Sequence, residues 1–213
     1  MTPRVSPAAA KTSQADRRSR TRTALLTAAA QEISRHGYSD MVLERVARDA
    51  GYTRGALYHL FANKQDLAIA VVEWVGKSWY DEVGILLDRD DDPVGTLIAV
   101  ARETAIHFRH DVARVLTRLR KELFGFDHPV GRMAEQAFAH MVADITRLVA
   151  QGREAGAIPP GPPPRVLALA YLGSMEGLVD QLAGQTPFDA VCAERATLGV
   201  LGLAPRPDSA GTG

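Results

Sequence analysis

The chain has 213 residues, 46% of them apolar, which is enough to bury a sizeable core. Its formal net charge is zero, but residues 1–68 carry a net +5 and residues 69–213 a net −5. Such asymmetry indicates a basic part that meets a polyanion, although a chance fluctuation with a basic tail would give the same count. Cys192 is the single cysteine, which excludes an intrachain disulfide and a cysteine-based zinc site. With no apolar secretion signal and no membrane-length apolar run, we expect a cytoplasmic protein.

Helical periodicity occupies the middle of the chain, and no segment reads convincingly as a strand, so we predict an all-α fold. Residues 1–16 are rich in Pro, Ala, Ser and Thr and carry few large apolar groups, which predicts a flexible arm. Residues 206–213 are predicted to form a flexible tail for the same reason.

Three short helical patterns open the ordered part. The first ends at Gly37 and the second at Gly51, and their apolar stripes are Ala24, Leu25, Ala28, Ala29 and Ile33, then Leu43, Val46 and Ala47. The third contains Leu57 and Phe61 as its apolar face. Asn63 is a good N-cap for a fourth helix, which continues until the acidic run and proline at 90–93.

Four more helices are predicted, with a further break near Arg109 as an alternative. One is amphipathic around Val115 and Leu119, and another contains Phe138 and is stopped at Gly156. After a stiff Pro-rich connector at 159–164, residues 166–184 are apolar on nearly all sides, and residues 188–203 form a last helix. A helix that is apolar all round needs a partner on its second face, either inside a monomer or in a two-fold homodimer. We favour the homodimer, with these interface residues: Gly173, Ser174, Gly177, Leu178 and Leu198.

The second and third patterns, joined at Gly51, have the spacing of a helix-turn-helix. If Leu57 and Phe61 face the core, the outward set is Thr53, Arg54, Gly55, Tyr58 and His59. A recognition helix places its N-terminal residues at base edges in the major groove, and arginine suits guanine there. Gly55 would permit a close approach, and the Tyr58 hydroxyl and Lys64 are candidate phosphate contacts.

Residues 21–67 resemble the N-terminal DNA-binding domain of the TetR/AcrR family of transcriptional repressors. The matching residues are Arg22, Leu25, Leu26, Ala29, Gly37, Tyr38, Val46, Ala47, Ala50, Gly51, Gly55, Leu57, Tyr58, Phe61, Lys64 and Leu67. The resemblance implies a homodimer that binds double-stranded DNA at a palindromic operator and is released by a small molecule bound in the C-terminal domain. It also implies a DNA-binding domain at 17–66 and a ligand-binding and dimerisation domain at 67–205.

Two positions depart from the family pattern. Val42 stands where a Ser or Thr usually caps the second helix, so either Ser39 or Asp40 caps one turn earlier or the helix end is uncapped. Leu60 stands where His often precedes the Phe, and His59 is displaced by one position. Arg22 and the basic residues before it are either minor-groove or phosphate contacts or part of a solubilising tail.

The resemblance implies a cavity for a small hydrophobic or amphipathic effector among the middle helices. The candidate lining residues are Trp74, His107, Phe108, Phe138, Met141, Tyr171 and Met175, although plain core packing is an alternative for each of them. Trp79, Tyr80 and Phe124 belong to the same group of aromatic candidates, and Glu176 is a candidate polar contact either to the ligand or at the dimer interface. We predict no cofactor, and we interpret His107, His110 and His128 as surface or core histidines because their spacing matches no closed metal site.

The leading hypothesis is therefore a ligand-responsive repressor and not an enzyme. One alternative is an architectural DNA-binding protein without a ligand, which a fully packed C-terminal core would favour. Another is a helical enzyme or small-molecule carrier, but the sequence has no nucleophile–base pattern, phosphate-binding glycine loop or metal motif.

Overall fold

The computed structural model describes residues 13–88, 92–109, 114–182 and 184–204, and over these the fold is helical without strands. Its α-helices, in chain order, are α1 Gln14–His36, α2 Leu43–Asp49, α3 Arg54–Leu60, α4 Lys64–Glu82, α5 Pro93–His107, α6 Val115–Glu122, α7 Pro129–Glu154, α8 Pro164–Leu182 and α9 Phe188–Leu201. A short 3-10 helix, Gly84–Asp88, follows α4. The predicted all-α class is confirmed. Helix α5 ends at His107 and α6 begins at Val115, so the two helices are separated close to Arg109.

The first helix begins earlier than the sequence analysis expects. Ser13 and Asp16 form a reciprocal capping box, which satisfies free N–H groups at the helix start and allows α1 to begin at Gln14. Residues 14–16 are therefore helical, and the boundary that we placed at 16/17 is too late. Residues 1–12 of the predicted arm and the predicted tail at 206–213 lie outside the described residues.

The turn between α2 and α3 depends on Gly51, whose φ of +78° lies in the left-handed region that favours glycine. The N-cap residue of α2 is Val42, and its side chain makes no capping hydrogen bond. The Val42 N–H donates instead to Oε1 of Glu32, a buried residue of α1, at 3.3 Å. Arg45 neutralises this carboxylate, with Nε 2.6 Å from the same oxygen. A carboxylate from another helix thus replaces the missing cap and complements the positive end of α2.

The buried side chains form two apolar clusters, and their division differs from the predicted domain boundary. The first cluster holds the cores of α1 to α4 together with Val115, Leu119, Val130 and Ala134 of α6 and α7. The second is built mainly from α5, α7, α8 and α9. The boundary that we predicted at 66/67 falls inside α4, a continuous helix from Lys64 to Glu82. The helix-turn-helix therefore shares its core with the start of the C-terminal domain.

Helix α8 is apolar as predicted, but within this chain only one side of it is covered. Leu167, Ala168, Tyr171, Met175 and Val179 are buried in the second cluster. The other side is solvent-exposed and carries Val166, Leu169, Ala170, Gly173 and Gly177. On the adjoining α9, Phe188 and Val191 are also exposed, Phe188 to 65%. The two helices present an uncovered apolar face, which is a usual sign of an interaction surface.

Candidate functional site

The outward side of α3 is the first candidate site. Thr53, Arg54, Gly55, Tyr58 and His59, the residues predicted to face outward, are all exposed. On the opposite side Leu57 and Phe61 are buried and fix the helix to the core. Thr53 also serves as the N-cap, because its hydroxyl oxygen accepts a hydrogen bond from Ala56 N–H at 3.2 Å.

Arg54 and Tyr58 are held together one turn apart on α3. The Arg54 Nη2 donates to the Tyr58 hydroxyl at 3.3 Å, and the guanidinium carbon lies 5.2 Å from the centre of the Tyr58 ring. The hydrogen bond to Tyr58 is the main reason that the pKa of Arg54 is raised, so its positive charge is permanent. The pair presents a planar donor group on the exposed side of the helix.

Gly55 leaves the same surface open. A Cβ built at Gly55 would meet only Thr53 Oγ1, at 3.8 Å, which is an ordinary contact. The fold of this chain therefore does not require a glycine here. Its absent side chain instead lets an external backbone approach the start of α3 closely.

Two further predicted DNA contacts, Lys64 and Arg22, are engaged with the protein. Lys64 Nζ donates to the Ser39 carbonyl oxygen at 2.7 Å and lies 5.0 Å from the centre of the Tyr38 ring. Burial lowers the pKa of Lys64, against smaller opposing effects of nearby carboxylates. Arg22 is exposed, and its guanidinium carbon lies 4.9 Å from the centre of the Phe61 ring. The phosphate roles of both residues remain predictions.

A cavity of about 550 Å³ bounded by α4 to α8 is the second candidate site. Ligand pockets commonly measure about 300–1,000 Å³ and are mostly apolar with a few polar groups. Of the seven predicted lining residues, six lie on this cavity: His107, Phe108, Phe138, Met141, Tyr171 and Met175. Trp79, Tyr80 and Glu176, also considered in the sequence analysis, line it as well.

Trp74 was predicted wrongly as a lining residue. It packs against the first apolar cluster, five residues before the cavity-lining Trp79 on α4. The sequence analysis also missed Arg120 on α6, Asp144 on α7 and His140, which line the cavity. No local pattern marks them, because charged residues of an amphipathic helix usually face solvent.

The polar groups of the cavity have definite partners. His107 is buried and has Nδ1 2.8 Å from Glu82 Oε2, which favours the tautomer with hydrogen on Nδ1. The Tyr171 hydroxyl donates to the Leu97 carbonyl oxygen at 2.9 Å, and burial raises its pKa, so the phenol stays neutral. Arg120 Nη1 donates to Glu176 Oε1 at 2.9 Å.

The predicted interface residues occupy different parts of α8 and α9. Gly173 and Gly177 lie on the exposed apolar face, where a Cβ at either position would meet nothing within 4 Å. Ser174 and Leu178 are half-buried at its edge. Leu198 is only 4% exposed and belongs to the second apolar cluster, so its side chain is not available to a partner and that assignment is wrong.

Neither a metal site nor a membrane-spanning helix is found among the described residues. Within those residues, no three or more His, Cys, Asp or Glu side chains are grouped to hold a metal ion. His110, which the sequence analysis interprets as a surface or core histidine, lies outside the described residues. None of the helices described here combines the length and apolar character needed to cross a bilayer.

Comparison with known families matches residues 25–71 to the model for bacterial regulatory proteins of the tetR family. The match includes α2 and α3 and runs into α4, so it contains the exposed surface around Arg54. It does not extend to the helices that bound the rest of the cavity.

Two curated relatives extend the comparison. The A-factor receptor protein of Streptomyces griseus is 27% identical over 157 residues, which are 72% of this chain and 52% of that protein. The HTH-type transcriptional regulator YxaF of Bacillus subtilis is 31% identical over 88 residues, covering 41% of this chain and 46% of that protein. The chain thus spans about half the length of these curated relatives.

The chain matches two solved structures of the same fold over nearly their whole length. AibR, in complex with isovaleryl coenzyme A and operator DNA, has a TM-score of 0.68 and 21% identity over 85% of this chain and 96% of that one. FadR from Bacillus subtilis, in complex with stearoyl-CoA, has a TM-score of 0.66 and 19% identity over 84% and 96%. At this level of identity, the likeness demonstrates a common fold.

Proposed function

We propose that the chain is a homodimeric transcriptional repressor of the TetR family that acts by binding and not by catalysis, since its residues 25–71 match the model for bacterial regulatory proteins of that family. In this proposal α3 binds a palindromic operator in double-stranded DNA, and a small hydrophobic or amphipathic molecule in the cavity releases it. The site of action would be the cytoplasm, where the DNA is. The observation that carries the proposal is the exposed Arg54–Gly55–Tyr58 surface within the matched helix-turn-helix.

The surface suits recognition of bases because the Arg54 guanidinium is a planar hydrogen-bond donor and Gly55 leaves space for DNA to approach the helix. A guanidinium has the geometry to donate two hydrogen bonds to guanine O6 and N7 in the major groove. Gly55 permits close contact, and the Tyr58 hydroxyl and Lys64 can donate to phosphates. In a two-fold dimer, two such helices would meet successive major grooves about 34–36 Å apart.

The cavity supports control by a ligand, and α6 provides a route from it to the DNA-binding part. Leu116, Thr117 and Arg120 of α6 line the cavity, while Val115 and Leu119 of the same helix pack into the first apolar cluster. A ligand that favours one position of α6 would shift the population of dimers toward a spacing of recognition helices that no longer fits the operator. That AibR and FadR are complexes with acyl-CoA molecules supports a small-molecule effector here.

The cavity also weighs against the alternatives from the sequence analysis. An architectural DNA-binding protein has no use for an apolar cavity of about 550 Å³. For a carrier or an enzyme, the exposed arginine and tyrosine on a helix-turn-helix would have no purpose. The repressor accounts for both sites.

The test is selection of binding sequences from a random DNA pool at near-physiological salt, since low salt inflates non-specific binding. We expect a palindrome with a fixed half-site spacing, bound by a dimer. Recovery of no common sequence would contradict the proposal, and recovery of an unpaired half-site would contradict its dimeric form. The same selection with Arg132→Ala, which removes an exposed cation on α7, is the control for general loss of positive charge.

A further inference from the structure

The charged groups around the cavity do not favour an anionic guest. Among its described lining residues, Arg120 carries the permanent positive charge, while Asp144 and Glu176 are acids. A smaller adjoining cavity shares Arg120 and Glu176 and adds one residue of each sign, Lys121 and Glu135. Positive charge is therefore matched or exceeded by carboxylates throughout, whereas sites for phosphorylated ligands present a surplus of cations.

Arg120 itself is already neutralised by two carboxylates. Its Nη1 donates to Glu176 Oε1 at 2.9 Å, and its Nε lies 3.4 Å from Glu135 Oε1. The guanidinium carbon also lies 3.3 Å from the centre of the Phe138 ring, which covers one face of the group. A bound anion would have to displace a carboxylate and leave it unpaired in a partly desolvated position, which is unfavourable.

The neighbouring cations are engaged in the same way. Lys121 Nζ lies 3.2 Å from Asp180 Oδ2, and Arg114 Nη2 donates to the Val179 carbonyl oxygen at 3.4 Å. Both partners are on α8, so these contacts fasten the ends of α6 to that helix. Recruiting either cation to a ligand would break a contact between helices.

Arg120 still has hydrogen-bonding capacity for a neutral group. A guanidinium has five N–H donors, and its hydrogen bonds to described residues are limited to the one from Nη1 to Glu176. An uncharged oxygen acceptor, such as an ester or ketone carbonyl, can accept from another N–H without displacing a carboxylate. The remaining wall, which includes Trp79, Phe108 and Met175, suits an apolar body.

We propose that the effector is an uncharged molecule with an apolar body and a carbonyl-type hydrogen-bond acceptor that binds at Arg120. A coenzyme A thioester or a free fatty acid would bind less well, since among the described residues that line the two cavities its negative charges find no arginine or lysine without a carboxylate partner. This inference rests on the proposed function, because it identifies the ligand class of the same cavity.

The test compares four probes that share a ten-carbon chain and differ at one end: methyl decanoate, decanoate, decanoyl-CoA and decyltrimethylammonium. The chain has two tryptophans, and Trp79 lines the cavity while Trp74 does not. In a Trp74→Phe background, the Trp79 fluorescence therefore reports occupancy of the cavity. We expect methyl decanoate to bind at least tenfold more tightly than each of the charged probes. The cationic probe should also bind weakly, because Glu176 already pairs with Arg120 and Asp144 lies 3.9 Å from Nη2 of Arg147. Tighter binding of any charged probe, or binding of none of the four, would overturn the proposal.

Two substitutions test the role of Arg120 in that background. Arg120→Lys keeps the charge and loses the guanidinium fork, so methyl decanoate should bind about tenfold more weakly, as expected for one hydrogen bond from a charged donor. Glu176→Gln removes one of the two neutralising carboxylates, so decanoate should bind about tenfold more tightly while the ester changes little. Glu103→Gln, at an exposed position of α5, is the matched control and should change neither.

The outcomes separate this inference from the proposed function. If Arg120→Lys does not fold, Glu176→Gln still decides, because an unchanged decanoate affinity contradicts neutralisation of Arg120. Operator release is measured separately with the selected palindrome. If the ester fills the cavity without releasing DNA, the ligand class is supported and the proposed regulation is contradicted. If decanoyl-CoA alone releases DNA, the proposed regulation is supported and the ligand class is contradicted.

Discussion

The carboxylate of Glu122, at the end of α6, accepts a hydrogen bond from the backbone N–H of Tyr38 at 2.7 Å. Its second oxygen accepts from the backbone N–H of Ser39, also at 2.7 Å. These N–H groups belong to the turn between α1 and α2, and Lys64 donates to the carbonyl oxygen of the same Ser39. The Glu122 side chain of α6, a helix that also lines the cavity, therefore fixes the turn that precedes the helix-turn-helix.

Glu122→Gln should destabilise the protein. The amide has one acceptor oxygen for two backbone donors, so one N–H loses its partner, at a cost of about 1–3 kcal/mol. Chemical denaturation at neutral pH measures the change, with Glu103→Gln as the control at an exposed position. An unchanged free energy of unfolding would contradict this account of the turn.

The same carboxylate predicts a pH dependence. Burial raises the pKa of Glu122, but hydrogen bonds from Ser39 and Tyr38 and the nearby Arg118 outweigh burial and place the pKa below its usual 4.5. Because the pKa is lower in the folded state, the stabilisation is complete above about pH 4.5 and is lost as the pH falls through the folded value. The stability difference between wild type and Glu122→Gln should therefore shrink when unfolding is measured below that pH. A constant difference across the range would exclude titration of Glu122 as its source.

Arg54→Ala should weaken operator binding by about 1–3 kcal/mol and relax the base preference at one position of each half-site. The physical reason is the loss of a planar donor at the exposed start of α3. Binding to a panel of single-base operator variants measures the effect, and Arg132→Ala should leave the preference intact. If Arg54→Ala binds every variant with the wild-type pattern, Arg54 reads no base.

Gly55→Ala separates stability from binding. In the free protein a Cβ fits here, so the change should raise helix stability by up to about 1 kcal/mol. On the operator the added methyl group stands where the DNA backbone approaches, so affinity should fall. Gly76→Ala on α4, where a Cβ meets nothing within 4 Å, is the control that should gain stability without losing affinity. Equal affinities for Gly55→Ala and wild type would show that α3 does not approach DNA closely.

Gly177→Glu should break the dimer. The side chain fits the lone chain, because nothing lies within 4 Å of a Cβ at this position. In a two-fold interface it would place two like charges near each other in an apolar contact, which should raise the dimer dissociation constant about 100-fold or more. Sedimentation measures this, with Gln136→Glu on the exposed side of α7 as the control. A dimer of normal stability would exclude the face around Gly177 as the interface.

The local part of the fold was predictable because its signals are local. The stripe of α1, the turn at Gly51 and the Asn63 cap each depend on residues within about one or two turns of each other. Leu57 and Phe61 follow from the same periodicity, and fixing them fixes which α3 residues face outward.

The remainder depends on contacts between distant segments. Glu122 meets Tyr38 across 84 residues, and Glu32 replaces a cap that the sequence around Val42 lacks. The sequence pattern predicts that Arg120 faces solvent, whereas in the structure it pairs with carboxylates from α7 and α8. Leu178 on α8 and Leu198 on α9 occupy similar positions in the apolar pattern of their helices. Only the packing of the helices makes Leu198 buried and leaves Leu178 half-buried. Periodicity identifies a face, but it does not identify what covers that face.

Arg54 also has a partner on the other helix of the motif, since its Nη1 lies 2.7 Å from Glu44 Oε1 on α2. In the proposed complex, the guanidinium can leave this carboxylate favourably only where guanine supplies two acceptors in its place. On any other sequence it keeps Glu44 and contributes no base contact. Glu44 would thus act as a competitor for the guanidinium within the protein, and only a base that offers two acceptors would draw Arg54 away from it.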